Sequence, residues 1–238
     1  MIPKTIHYCW FGGRALPKSA RKCIASWRKF LPDHEIKEWN ESNFDVNLVP
    51  YTAEAYAAKK YAFVSDFARF WILHQEGGVY FDTDVEVIRP MDDILREGAF
   101  MGYEALATKE QARHYVAPGL GIACEAHNEV WEYILKKYIS LKNFNPENQG
   151  TVCKITTDAL EELGACLDGR LTQCKNVMIY PADFFCPQAM RGAPIHPTEN
   201  TRSIHHFDCT WLPRTTRYRA FFLSQIRLLL NKAMPKLK

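Results

Sequence analysis

A layered α/β fold is what this sequence of 238 residues predicts, and three observations carry the expectation. The chain opens strand, helix, strand. A strongly apolar helix then ends at Gly77-Gly78 and runs directly into a segment of period two. Hydrophobic residues make up 47% of the chain and aromatic ones 13%, enough for a substantial core and too many for a disordered segment. A single Rossmann-like domain with a mixed central sheet is expected.

Residues Ile2 to Trp10 read as a strand, ended by a turn at Phe11-Gly12-Gly13 that lets the backbone approach a ligand. From Lys18 to Leu31 the period is helical, with Ile24, Trp27 and Leu31 on the buried face and Arg21, Lys22, Arg28 and Lys29 in solvent. Pro32-Asp33 stops that helix, and His34 to Trp39 alternates as a second strand. Thr52 to Lys60 and Phe63 to Gln75 read as two helices, the second closed by Gly77-Gly78. Val79 to Ile88 gives the clearest strand, because Val79, Phe81, Thr83, Val85 and Val87 alternate with Tyr80, Asp82, Asp84 and Glu86. Strands follow at Phe100 to Tyr103, Gly121 to Cys124 and Val177 to Tyr180, with helices at Glu129 to Leu141 and Thr157 to Leu163. Glu104 to Ala117 has no clear period and reads as a loop or lid.

The formal charge of +3 leaves no nucleic-acid footprint in bulk. No segment has the roughly 20 apolar residues of a membrane span, and the first residues lack the pattern of a signal peptide, so a cytoplasmic protein is expected. The eight cysteines are scattered without C-x-x-C pairs or zinc-ligand spacing, and reduced thiols are expected.

Along an ideal strand Asp82 and Asp84 share a face about 6.7 Å apart, with Glu86 extending the row. Two such charges repel by about 2.5 kcal/mol at an effective dielectric of about 20, so a cation nearby is the natural partner. Carboxylate oxygens suit Mn²⁺ or Mg²⁺. The strand spacing is too wide for both carboxylates to grip one ion, which puts Asp84 on the metal and Asp82 on a sugar hydroxyl or a metal-bound water. A solvated edge strand would show the same D-x-D. Upstream, Asp66 and Arg69 share one face of a helix that is apolar nearly all round, so the pair is expected to be buried and engaged.

Taken in order, Ile2-Pro3-Lys4-Thr5-Ile6-His7, Trp10-Phe11-Gly12-Gly13, Ser65-Asp66-x-x-Arg69 and Gly77-Gly78-Val79-Tyr80-x-Asp82-x-Asp84 resemble the glycosyltransferases that contain the DXD sugar-binding region. These include the initiating α-1,6-mannosyltransferase type, α-1,4-galactosyltransferases and capsular polysaccharide enzymes, and they are related to the glucosylating clostridial toxins. The resemblance is dense over residues 1–90 and thinner to about 212.

It implies a GT-A fold and a metal-dependent, retaining hexosyl transfer from a UDP- or GDP-sugar to a hydroxyl of a glycan or lipid-linked acceptor in surface polysaccharide synthesis. By the same resemblance, Trp10 stacks on the nucleotide base, with Phe11, Gly12, Ser65 and Tyr80 around the donor. Asp66 and Arg69 hold the ribose and sugar hydroxyls, and Asp82 and Asp84 are the DXD pair. His205-His206-x-x-x-Thr210-Trp211 resembles a late segment in which a side chain, taken as His205, completes the metal shell and the tryptophan approaches the diphosphate. Thr210 replaces the usual serine, and either histidine could face the metal. At Thr151-Val152-Cys153 the chain departs from a T-G-P segment of many relatives, so no acceptor role is carried over there. Tyr180-Pro181-x-x-Phe184-Phe185-x-Pro187 also fits the pattern, as packing.

Two rival readings exist. Val79 to Asp84 also suits the D-x-D strand of a haloacid-dehalogenase phosphatase, although Glu86 stands where that motif wants Thr or Val. A non-catalytic nucleotide-sugar-binding module would show the same donor motifs.

The organisation expected is a catalytic domain over residues 1–212 and a basic amphipathic helix over 213–238. Arg214, Arg217, Arg219, Arg227, Lys232, Lys236 and Lys238 alternate there with apolar residues, and no acid follows Asp208. Such a helix either docks on the domain or a partner subunit, or lies on an anionic membrane surface at the inner face.

Overall fold

The computed structural model describes residues 1–106, 113–147 and 149–208. Strand β1 (Thr5–Cys9) alternates by side, Ile6 and Tyr8 facing helix α1 (Lys18–Phe30) and His7 and Cys9 facing the other layer. It pairs in parallel with β2 (Glu35–Trp39) and with β3 (Gly78–Tyr80), which follows α2 (Pro50–Ala57) and α3 (Tyr61–Glu76).

Beyond β3 come β4 (Val85–Val87), α4 (Asp92–Glu97), β5 (Ala99–Gly102), a 3₁₀ turn at Pro118–Leu120 and β6 (Ile122–Cys124). The chain continues through α5 (Glu129–Ser140), α6 (Val152–Glu162), β7 (Thr172–Cys174), β8 (Val177–Tyr180), α7 (Ala182–Phe185) and β9 (Ser203–His205). Seven strands form one mixed sheet in the order β2-β1-β3-β6-β5-β8-β7, while β4 and β9 make a separate antiparallel pair.

Each face of the sheet is covered. On one side α1 buries Cys23, Ile24 and Trp27 against Val79, Phe81 and Phe100, and the Trp27 Nε1 donates to the Val85 carbonyl at 2.7 Å. On the other, Phe67 and Phe70 of α3 meet Trp131, Ile134 and Tyr138 of α5 and Leu160 of α6. Fully buried aromatic side chains of this kind cost about 3–5 kcal/mol each when truncated to alanine.

The structure corrects one central expectation. Val79 to Ile88 is two strands in two sheets, because the chain turns at Phe81 to Asp84 and the Val85 N–H closes the turn onto the Asp82 carbonyl at 3.0 Å. Aspartate is a poor strand former and a favoured turn residue, and that local chemistry overrides the unbroken alternation. Helix α6 starts five residues before the expected Thr157, since the Thr151 Oγ1 caps it by accepting from the Lys154 N–H at 3.2 Å. The short elements β7, β9, α4 and α7 had no periodic signal long enough to read.

All seven cysteines among the described residues are free thiols. Cys209 and the helix expected at 213–238 lie outside the described residues.

Candidate active site

The turn after β3 does what a straight strand cannot. Oxygens of Asp82 and Asp84 and a ring nitrogen of His205 all lie within 4.8 Å of one another. The 6.7 Å separation expected for a strand face, and the division of roles it forced on the two aspartates, is therefore corrected: both carboxylates can reach one ion. Glu86 does not extend the row, because it pairs with Lys22 at 3.0 Å and His206 at 2.8 Å.

Strand β9 delivers His205 by pairing with β4, Val85 opposite His205. The His205 Nε2 lies 3.2 Å from Asp84 Oδ1, and the Asp208 N–H donates to Asp84 Oδ2 at 2.9 Å. Burial alone would raise the Asp84 carboxyl, but His205 and the Asp208 amide outweigh it and hold the pKa down to about 2. Burial pulls His205 the other way, and the charges of Asp84, Asp82 and Glu104 overcome it to leave the imidazole more basic than usual. Of the two histidines, His205 turns to the aspartates and His206 turns away.

Helix α3 supplies the second half of the site. Arg69 is buried; its Nη2 donates to Asp66 Oδ1 at 2.9 Å and its Nη1 to Asp82 Oδ2 at 3.3 Å. The Arg69 Nε is held by the Ser65 carbonyl at 3.1 Å, and the guanidinium lies 5.1 Å from the centre of the Tyr80 ring. The Tyr80 hydroxyl donates to Asp82 Oδ1 at 2.9 Å. Burial pushes the Asp66 carboxyl up to about 7, against the pull of Arg69 and with the help of the Asp82 charge. For Arg69 the penalty of burial is outweighed by Asp82, Tyr80 and Asp66, and its charge is secure.

Ser65 itself bonds back to the Tyr61 carbonyl at 3.1 Å. Trp10 is partly exposed at the end of β1, its Nε1 donating to the Arg14 carbonyl. Phe11 is buried against Phe44, ring centres 5.7 Å apart, so its side chain belongs to the core. Gly12 has φ +92°, and a Cβ there would overlap the Tyr61 ring. Thr210 and Trp211 lie outside the described residues.

Three contributors escaped the sequence reading. A Cβ on Gly119 of the 3₁₀ turn would overlap Asp82 Oδ2, and this residue also accepts the Asp82 N–H at its carbonyl, 3.3 Å away. Asp208 holds Asp84 through its backbone, and Glu104 faces the site electrostatically. Only the Pro118-Gly119 dipeptide carries a local signal, that of a turn.

Two carboxylates and one imidazole at this separation suit a divalent cation of the Mn²⁺ or Mg²⁺ kind, which takes oxygen ligands and tolerates one nitrogen. Beside them stands a fixed guanidinium and a carboxyl near neutrality, a set able to bind hydroxyls and balance a developing negative charge.

Residues 17–101 match the family described as the glycosyltransferase sugar-binding region containing the DXD motif. An uncharacterized glycosyltransferase, L373, of Acanthamoeba polyphaga mimivirus is 28% identical over 173 residues, 68% of this chain and 66% of that protein. Inositol phosphoceramide mannosyltransferase 1 of Schizosaccharomyces pombe is 27% identical over 111 residues, 42% of this chain and 33% of that protein. Each match thus spans under two thirds of the relative. Among solved structures, the PaToxG glycosyltransferase superposes with a TM-score of 0.53 at 20% identity, over 68% of this chain and 69% of that one. The fold is GT-A.

Proposed function

We infer, from the membership of this chain in the glycosyltransferases that carry a DXD sugar-binding region, that it moves a hexose from a nucleoside diphosphate sugar to an acceptor hydroxyl. The observation that carries the reading is the gathering of Asp82, Asp84 and His205 within 4.8 Å beside the Arg69–Asp66 pair. Asp82, Asp84 and His205 would hold Mn²⁺ or Mg²⁺. When bound, such an ion neutralises charge on a diphosphate.

The side chains of this site divide the rest of the work. Arg69, charged and immobilised by Asp66, Asp82 and the Ser65 carbonyl, adds fixed positive potential where the leaving group gains charge, with no reorganisation needed at the moment of transfer. Asp66, with its carboxyl near neutrality, can donate to or accept from donor hydroxyls. Tyr80 fixes the Asp82 rotamer. Trp10 offers an aromatic surface to the base, and Trp211 and His205 are assigned to the diphosphate side by the family resemblance, which also supports retention of configuration.

A glycan or lipid-linked acceptor, in surface polysaccharide synthesis, agrees with that resemblance, and the similarity to an inositol phosphoceramide mannosyltransferase supports the lipid-linked form. No helix among the described residues is long and apolar enough to cross a membrane.

The test is release of nucleoside diphosphate from a panel of UDP- and GDP-hexoses. Activity should need Mn²⁺ or Mg²⁺, vanish with EDTA, and fall at least about 100-fold in Asp84→Asn, the range seen when one electrostatic contributor is removed. An Asp84→Asn protein as active as wild type would sink the metal assignment. Tight donor binding without turnover on any acceptor would leave a binding module, and phosphate release from a generic phosphomonoester would favour the phosphatase reading.

A further inference from the structure

Successive side chains on an extended segment point to opposite sides, and at the end of β9 this separates two environments. His205 turns to Asp84, and His206 turns to Glu86. On the His206 side lies a cavity of about 340 Å³, whose wall includes Ser19, Lys22, Gln188, Arg191, His206 and Asp208. Trp10, Asp66, Arg69, Asp82 and Asp84 are absent from that wall.

The wall is arranged for an anion with a hydroxyl beside it. Helix α1 begins there with Pro17 at its N-cap, no capping side chain and no acid in its first turn. Lys18, Arg21 and Lys22 instead crowd its positive end, where the macrodipole disfavours cations and where unbonded amides favour an anion.

Lys22 is paired with Glu86 at 3.0 Å, and Arg191 stands 4.0 Å from Asp208. These carboxylates offset part of the charge, yet an ammonium and a guanidinium carry more N–H donors than one carboxylate contact uses. A separate observation concerns Gln188, which is only 6% exposed. Its Nε2 donates to the Ala193 carbonyl at 2.8 Å, which fixes the amide, and its Oε1 is buried without a partner. An orphaned buried acceptor is costly, and a ligand hydroxyl would satisfy it.

We propose that this cavity binds a phosphate ester of a polyol as a second ligand, apart from the sugar-nucleotide donor. The phosphate meets the α1 terminus, Lys22 and Arg191, and an adjoining hydroxyl donates to Gln188. Occupancy is felt at the metal cluster through Asp208, whose carboxylate lines the cavity while its N–H holds Asp84 at 2.9 Å.

Calorimetric titration of the full chain in EDTA, with glycerol 3-phosphate, inorganic phosphate and glycerol as probes, tests the site. Glycerol 3-phosphate should bind about fivefold more tightly than inorganic phosphate, and glycerol should not bind. Lys22→Ala should weaken both phosphates about tenfold, and Gln188→Leu should erase the preference for the ester. Lys22 is largely exposed, so its variant carries the test should Gln188→Leu fail to fold.

Absence of binding, equal binding by Lys22→Ala, or an ester bound no better than inorganic phosphate would overturn the proposal. So would a parallel loss of Mn²⁺-dependent UDP and GDP binding in Lys22→Ala, since that would assign the cavity to the diphosphate of the donor. The metal-free titration does not involve sugar transfer, and its failure leaves the proposed reaction standing.

Discussion

His7 lies wholly inside the protein, its Nδ1 accepting from the Trp39 Nε1 at 3.0 Å and its Nε2 donating to the Gly77 carbonyl at 3.0 Å. That pairing requires the neutral ring, for a proton on Nδ1 would face the indole N–H. Burial lowers the pKa to about 4, against the opposing pull of Glu76 and the Gly77 carbonyl. A base depressed in the folded state takes its proton first in the unfolded chain, so stability is full above about pH 6.5 and falls as the pH drops towards 4. The loss approaches about 3 kcal/mol, from a shift of about two and a half units at about 1.4 kcal/mol each. Asp66, whose carboxyl is raised, runs in the opposite sense, so the measurement is a difference: urea unfolding of wild type and His7→Gln between pH 7 and 4. The gap between the two proteins should narrow with acid; a constant gap would show that His7 does not titrate with folding. The histidine of the Ile2-to-His7 motif thus serves the joint between β1, β2 and the end of α3, a role that residue type and spacing do not disclose because both hydrogen bonds come from distant parts of the chain.

Elements long enough to repeat their period were legible in the chain: α1, α3 and α5 stand within two residues of their expected ends, and β8 is as read. What escaped reading was the turn at Phe81 to Asp84, where an alternation that looks like one strand hides a change of sheet, and with it the closeness of Asp82, Asp84 and His205. The candidate residues were legible from type and order; their geometry was not, since it depends on β9 arriving from more than a hundred residues away and on the 3₁₀ turn behind Asp82. That turn gives a direct test. A methyl group at Gly119 would overlap Asp82 Oδ2 and come within 3.3 Å of Arg69 Nη1, while no unusual φ marks the backbone there. Gly119→Ala should therefore leave the fold in place and displace the Asp82 carboxylate. Mn²⁺ affinity, read by calorimetry, should fall at least about tenfold, and donor turnover with it, while the melting temperature changes by no more than a few degrees. Unaltered Mn²⁺ binding in a folded Gly119→Ala protein would mean that Asp82 does not ligate the ion.

At the scale of the whole molecule, the charge of +3 is an average over two unlike regions. Positions 209–238 hold seven basic residues and no acidic one, which leaves 23 basic against 27 acidic in positions 1–208, a net of −4. The structure gives the acidic part a physical use, since several of its carboxylates converge on the cation site and on buried Arg69. The basic residues of the tail have no such use among the described residues, and their spacing among Phe221, Phe222, Ile226, Leu229 and Leu230 suits an amphipathic helix on an anionic surface. Each basic side chain near such a surface contributes about 1 kcal/mol at physiological ionic strength, so even a partial set would bring the chain to a membrane that carries a lipid-linked acceptor. A net-negative domain would not go there unaided. Co-sedimentation with vesicles containing anionic lipid should therefore retain the full chain and not a 1–212 protein, and retention should weaken steeply as salt is raised, because the attraction acts within a Debye length of about 8 Å. Vesicles of neutral lipid should retain neither. Equal sedimentation of the two proteins would remove the membrane role and return the tail to the other expectation, a helix docked on the domain or on a partner subunit.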